Sequence, residues 1–210
     1  MMDIIDFHTH RLDATDALIS ASPQQFDPQP DKWYSVGFHP WQQLNELTEE
    51  DFDLLAQCAR HPQVLAIGET GMDRVCGNDL DIQAAVFIRH LRLASTLVKP
   101  MVVHSVRTAQ DILTERRKAG LTDVTMAIHG MRSNANVACT LLDAGCYVSI
   151  GPRFNPEALL VTPLDRLLIE TDDTPVTIDE VAARVASVMN LTPEDIIKTA
   201  AGNAQRLLIG

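Results

Sequence analysis

The sequence predicts an α/β fold, a TIM-like distorted β/α barrel with one or two of its outer helices reduced. Three observations carry this. Strand-like runs rich in Val and Ile recur at 2–7, 33–38, 64–69, 100–105, 125–130, 146–151 and 166–171. Most are apolar on both faces, as strands buried in a parallel sheet are. Amphipathic helical patterns separate most of them, and alternating strand and helix builds a parallel sheet with helices outside. Five of the runs also end in a histidine or a carboxylate, and in a barrel of this kind the chemistry sits where strands end.

The first run, Ile4-Ile5-Asp6-Phe7, leads into His8-Thr9-His10. Ala17-Leu18-Ile19-Ser20 is a weaker run that completes eight strands. No full helix fits between these two, and Pro23, Pro28 and Pro30 leave the next connection mostly loop. Thr48 opens a helix to about Arg60 with acidic residues in its first turn. A long helix covers about 79–98, with Ile82, Val86, Leu93 and Leu97 on its apolar side. Further helices cover about 107–119 and 133–144, the latter stopped by Gly145. Thr177-x-x-Glu180 is a capping box for a helix over 178–189, and Thr192-Pro193 opens the last one.

At 210 residues the chain fits a single domain, 1–210, and is short for a barrel that typically needs about 250. Its N-terminus shows no targeting pattern, and no apolar run reaches membrane-spanning length. Cys58, Cys76, Cys139 and Cys146 have no CxxC spacing, and Cys58 and Cys139 fall in helical patterns as small buried hydrophobes. This favours a cytoplasmic protein. A net charge of −11 speaks against a general nucleic-acid binder with a basic stripe.

The residues ending the runs are His8 and His10, Glu69, His104, His129 and Asp172. Four imidazoles and two carboxylates at strand exits can hold divalent metal ions. His8 and His10 are two apart, so a strand points both to one face, a natural pair of ligands on one ion. His39, in Gly37-Phe38-His39-Pro40, also ends a strand and is a candidate for contact with substrate or with the ligands. His61 and His90 read as structural surface residues.

The motifs DFHTH, GFHP, AIGETGMD, PMVVHS, AIHG and LLIETDDTP, with Gly202-Asn203-Ala204-Gln205-Arg206 near the end, resemble in order those of the TatD-type metal-dependent deoxyribonucleases. These are distorted TIM barrels of the amidohydrolase-like superfamily. The resemblance implies two divalent ions, one on His8, His10 and Asp172, the other on His104 and His129, with Glu69 bridging. Zn, Mn, Fe, Ni or Mg suits such mixed donors. It implies a hydrolase of ester bonds, a phosphodiesterase or deoxyribonuclease using a metal-bridging hydroxide. Asp172 and Glu69 are then the catalytic carboxylates, with Asp172 also taking the water's proton.

The chain departs from the family where substrate is recognised. Trp41 stands where a second histidine follows GxHP. Arg107 lies one position later than the family's HxR signature, and the segment after Asp172 is short. Arg107, Arg132 and Arg153 are candidate phosphate contacts, since arginine binds phosphate bidentately. The expected substrate is single-stranded or short DNA, or a small phosphoester. The alternative is hydrolysis of a small amide, lactone or phosphoester on the same binuclear barrel. Binuclear amidohydrolases often use a carbamylated lysine as the bridge, and a glutamate at that strand end favours the phosphoesterase.

Overall fold

In a computed structural model, which describes residues 4–209, the strands are β1 (Asp6–Thr9), β2 (Ala17–Ala21), β3 (Trp33–Val36), β4 (Val64–Asp73), β5 (Met101–Val106), β6 (Met126–Ile128), β7 (Tyr147–Ile150) and β8 (Leu167–Ile169). They run in the order β1 to β8 and close as a barrel. The helices are α1 (Glu49–Ala59), α2 (Leu80–Leu97), α3 (Ala109–Lys118), α4 (Ala135–Asp143), α5 (Pro156–Leu160), α6 (Ile178–Met189) and α7 (Pro193–Ile209). The start of the expected run 2–7 lies outside the described residues.

The expected shortening is present. No helix joins β1 to β2, and only a 3-10 turn at Pro23–Gln25 lies between β2 and β3. The five-residue α5, opened by Pro156 behind an Asn155 cap, was not anticipated. It is too short to show a helical period.

The chain divides into two compact units. One comprises Met1–Ile19 with Ala127–Gly210, the other Ser20–Met126. In the first, β7 pairs in parallel with β8, and Asp6 of β1 pairs with Ile169 of β8. Its core is Phe7, Leu18, Ile19, Val148, Ile150, Leu167 and Ile169, packed with Val181, Val185 and Ala204 of the outer helices. Thr177 and Glu180 form the predicted capping box of α6.

In the second unit β3, β4 and β5 pair in parallel. Val36, Phe38, Ile67, Met101, Val102 and Val103 are buried with Phe87, Leu91 and Ile112. Full burial of such side chains contributes about 1.5–3 kcal/mol each. Thr48 and Asp51 cap α1 reciprocally, which satisfies two of its otherwise unpaired N–H groups.

Two readings are corrected here. His90 is fully buried, not at the surface: its Nε2 accepts the Phe38 N–H at 3.0 Å and its Nδ1 lies 2.8 Å from the Val86 carbonyl. Those partners put the proton on Nδ1, and burial pushes the imidazole down to about 4, against the smaller effect of the Val86 bond. Cys139 is exposed on α4, whereas Cys58 is buried.

Candidate metal centre

In the first unit, strand-end backbone places the ligands. The Asp172 N–H donates to the His8 carbonyl at 2.9 Å, and the His10 N–H donates to the Asp172 carbonyl at 3.3 Å. Thr9 and Asp172 thus form a parallel bridge just beyond β8. Asp172 has φ 57°, a left-handed conformation that Asp tolerates better than most residues. Its Oδ1 lies 3.8 Å from His8 Nε2 and 3.7 Å from His10 Nε2. His8 is fully buried and His10 is exposed.

Behind this group, Asp6 accepts from the Thr171 N–H at 2.9 Å and from its hydroxyl at 2.6 Å. Burial raises the Asp6 carboxyl to about 6, while the two Thr171 bonds pull it down. His129 follows β6, with its ring centroid 4.3 Å from that of His8. Its Nδ1 lies 3.4 Å from Glu170 Oε1, which also accepts the Gly130 N–H at 2.6 Å. Glu170 is fully buried. Burial raises its carboxyl, but the bond and charge of His129, with the His8 charge and Ser149, outweigh this and hold it below the usual range.

The donor atoms of His8, His10 and Asp172 lie within 4.8 Å of one another, and so do those of His129, Glu170 and Asp172. Two imidazoles at the end of β1 and a carboxylate beyond β8 fit a divalent first-row metal. Of the predicted phosphate contacts, Arg132 sits with this group, its guanidinium 3.6 Å from Asp172 Oδ2. Arg153 is exposed beyond β7, with no such contact to a predicted ligand.

In the second unit β4 is long, and Glu69 and Asp73, four apart, share one face. Gly71, at φ 151°, lies against β5: a Cβ there would come within 2.0 Å of the His104 carbonyl oxygen. At Gly68 it would meet the Val102 carbonyl at 2.2 Å. The absence of side chains at these positions lets β4 and β5 approach closely enough for Glu69 to meet His104. Glu69 Oε1 lies 3.0 Å from both His104 Nδ1 and His39 Nε2.

The partners of these rings fix their protons. His104 Nε2 is 3.1 Å from Asp73 Oδ2, so a neutral ring donates there and turns its Nδ1 lone pair toward Glu69 and His39 Nε2, the latter 3.3 Å away. His39 Nδ1 accepts the Trp41 backbone N–H at 3.1 Å, so its proton sits on Nε2, facing Glu69. The donor atoms of His39, Glu69 and His104 also lie within 4.8 Å of one another. Asp73 Oδ2 accepts the Trp41 indole N–H at 2.7 Å, and its Oδ1 takes the N–H groups of Val75 and Cys76 at 2.7 and 3.3 Å. Burial raises this carboxyl, and the bonds from Trp41, Val75 and His104 override that and hold it low. Arg107 is exposed after β5, and its carbonyl accepts from Arg74.

His10, His129 and Asp172 thus follow strand ends, His8 lies near the end of β1, and Glu69 and His104 lie within β4 and β5, each beside other donors. Sequence reasoning missed Asp73 and Glu170. Glu170 carried a signal, as a carboxylate inside an apolar strand needs a partner. Asp73 was hidden because β4 was expected to stop at Glu69.

A family model described as TatD related DNase matches residues 16–209. The metal-dependent hydrolase YabD of Bacillus subtilis is 29% identical over 194 residues, 82% of this chain and 76% of that protein. The human 3'-5' RNA nuclease TATDN2 is 31% identical over 153 residues, 67% of this chain and 20% of that protein. The crystal structure of YjjV, a TatD homolog from Escherichia coli, superimposes with a TM-score of 0.85 at 21% identity, covering 99% of this chain and 98% of that one. That likeness is one of fold. On the match across 16–209, this chain belongs to the TatD-related DNase family of metal-dependent hydrolases.

Proposed function

We propose that the chain acts as one domain, a cytoplasmic phosphodiesterase that cuts single-stranded or short DNA with two divalent ions. The observation that carries this is the His8, His10 and Asp172 group, three metal donors tied together by backbone hydrogen bonds. The family match, and a relative named as a nuclease, point to a phosphodiester.

His8, His10 and Asp172 would hold one ion, and His104 with Glu69 the other. Such ions supply positive charge for the scissile phosphate and acidify a water. Asp172 would accept a proton from the attacking water. Asp73 holds His104 by its Nε2, which turns Nδ1 toward Glu69, and His39 steadies Glu69 through its Nε2–H. Arg132, beside Asp172, offers the phosphate a guanidinium, and Arg107 and Arg153 are exposed candidates for the same task. The resemblance also gives His129 to the second ion and Glu69 to both. The metal content of His129→Ala and Glu69→Ala proteins tests each assignment.

Four cysteines without a disulfide fit a reducing compartment. Among the described residues no helix is long and apolar enough to cross a membrane. A net charge of −11 disfavours the dense phosphate rows of a duplex.

The deciding experiment compares kcat/KM of the metal-loaded protein on a dinucleotide, a single-stranded oligomer, a duplex of the same sequence and a panel of small esters and amides. The single strand or dinucleotide should be best. A duplex better by tenfold contradicts the charge argument. Turnover confined to small esters, lactones or amides replaces the phosphodiesterase by the small-molecule reading.

A further inference from the structure

Trp41, where the family places a histidine, is a large apolar side chain left 68% exposed. It is nevertheless held at two points. Its indole N–H is tied to Asp73 at 2.7 Å and its backbone N–H to His39 at 3.1 Å. The ring meets His39 and His104 nearly perpendicularly, with centroids 5.1 and 5.9 Å away. An exposed ring already fixed in one orientation loses little freedom when something stacks on it.

Beside it lies a cavity of about 420 Å³ lined by Trp41, Gln42, Asp73, Val75, Cys76 and Asn78, among others. That volume falls in the range of small-molecule pockets, about 300–1,000 Å³. Its one charged lining residue, Asp73, is occupied by four hydrogen bonds. The Asn78 amide N–H groups are likewise taken by the Pro40 and Gln42 carbonyls, which shapes the wall. The cavity therefore has no cation for a phosphate. It offers a flat aromatic ring, apolar Val75 and the Gln42 amide, which suit a neutral aromatic ring with polar edges.

We propose that this cavity is a nucleobase subsite with Trp41 as its stacking platform. The base of a terminal nucleotide lies on the indole, which meets the His104 ring, while its phosphate would reach the cation that His104 and Glu69 are proposed to hold. The subsite rests on the phosphodiesterase reading and adds to it a means of choosing substrates by base stacking. Such stacking tolerates any base, because every base has a π-face.

The test has two arms. In the first, Trp33→Phe leaves Trp41 as the only tryptophan, and its emission is followed while a deoxynucleoside monophosphate or deoxyribose 5-phosphate is added. Saturable quenching by the nucleotide and none by the sugar phosphate is expected. If Trp33→Phe fails to fold, the difference between wild type and Trp41→Phe isolates the same signal. In the second, kcat/KM is compared on a short single strand and on the same strand with an abasic terminal residue. Trp41→Ala should shrink the preference for the base-bearing strand by about 5- to 150-fold. Trp41→Phe, which keeps a ring but loses the bond to Asp73, should retain most of it. Loss of that bond alone affects both strands alike, so the ratio reports stacking. An unchanged ratio in Trp41→Ala, or no quenching by the nucleotide, overturns the subsite. If the wild type cuts neither strand, the phosphodiesterase reading fails, and the titration still decides the subsite.

Discussion

The backbone N–H of Asp172 donates to the carbonyl of His8 at 2.9 Å, so the chain itself sets the spacing of these two ligands. The same bridge continues into His10, whose N–H returns to the Asp172 carbonyl. Because main-chain bonds assemble this group, side-chain substitutions there can change chemistry without dismantling it.

That separation makes Asp172→Asn informative. Asn tolerates the same left-handed backbone and keeps an oxygen for weak ligation, but it cannot take a proton. General bases contribute about 10²–10⁴-fold, so kcat should fall by at least about 10²-fold while part of the metal content persists. Turnover near the wild-type value in a metal-replete variant removes the proton-accepting role.

Gly71→Ala should be costly although it adds one methyl. The added carbon would lie within 2.0 Å of the His104 carbonyl oxygen, and φ 151° is itself unfavourable for alanine. Overpacking costs about 1–3 kcal/mol, to which the backbone strain adds. Urea unfolding should show a loss at least that large, or β4 shifted and His104 displaced with it. An unfolding midpoint equal to wild type contradicts the close approach of β4 and β5.

His90 should make the fold acid-sensitive. An ordinary imidazole protonates near 6.5, and the buried one near 4. Between those values the unfolded chain binds more protons, so this stability is whole above about 6.5 and fades as pH falls toward 4. At pH 4.5 the loss amounts to about 2–3 kcal/mol. His90→Gln can donate to Val86 and accept from Phe38 without titrating. Its unfolding free energy should fall less between pH 7 and 4.5 than that of the wild type, by about that amount. Parallel pH curves count against the assignment.

The alternation of strand and helix, the two missing outer helices and the six ligand candidates were legible because each rests on a local pattern. An apolar run ending in His or Glu is visible without knowing what packs on it. Asp73 was not, because the length of β4 depends on close approach to β5 through Gly68 and Gly71, a tertiary relation. Glu170 was read only as part of a strand, and its contacts to Gly130 and His129 come from 40 and 41 residues away. His90 lies four residues after Val86 on the apolar side of α2, a signal that its polarity overrode. Trp41 was seen as a departure from the family, and its bond to Asp73 emerges only in the fold.

The most direct measurement follows cleavage of a labelled single-stranded oligonucleotide by wild type before chelation, after verified metal removal, and after reloading with Mn or Zn. Activity should vanish with the metal and return on reloading, and the His8→Ala, His10→Ala double variant should not recover it. Undiminished cleavage by protein shown to be metal-free, or full recovery in the double variant, would contradict the account.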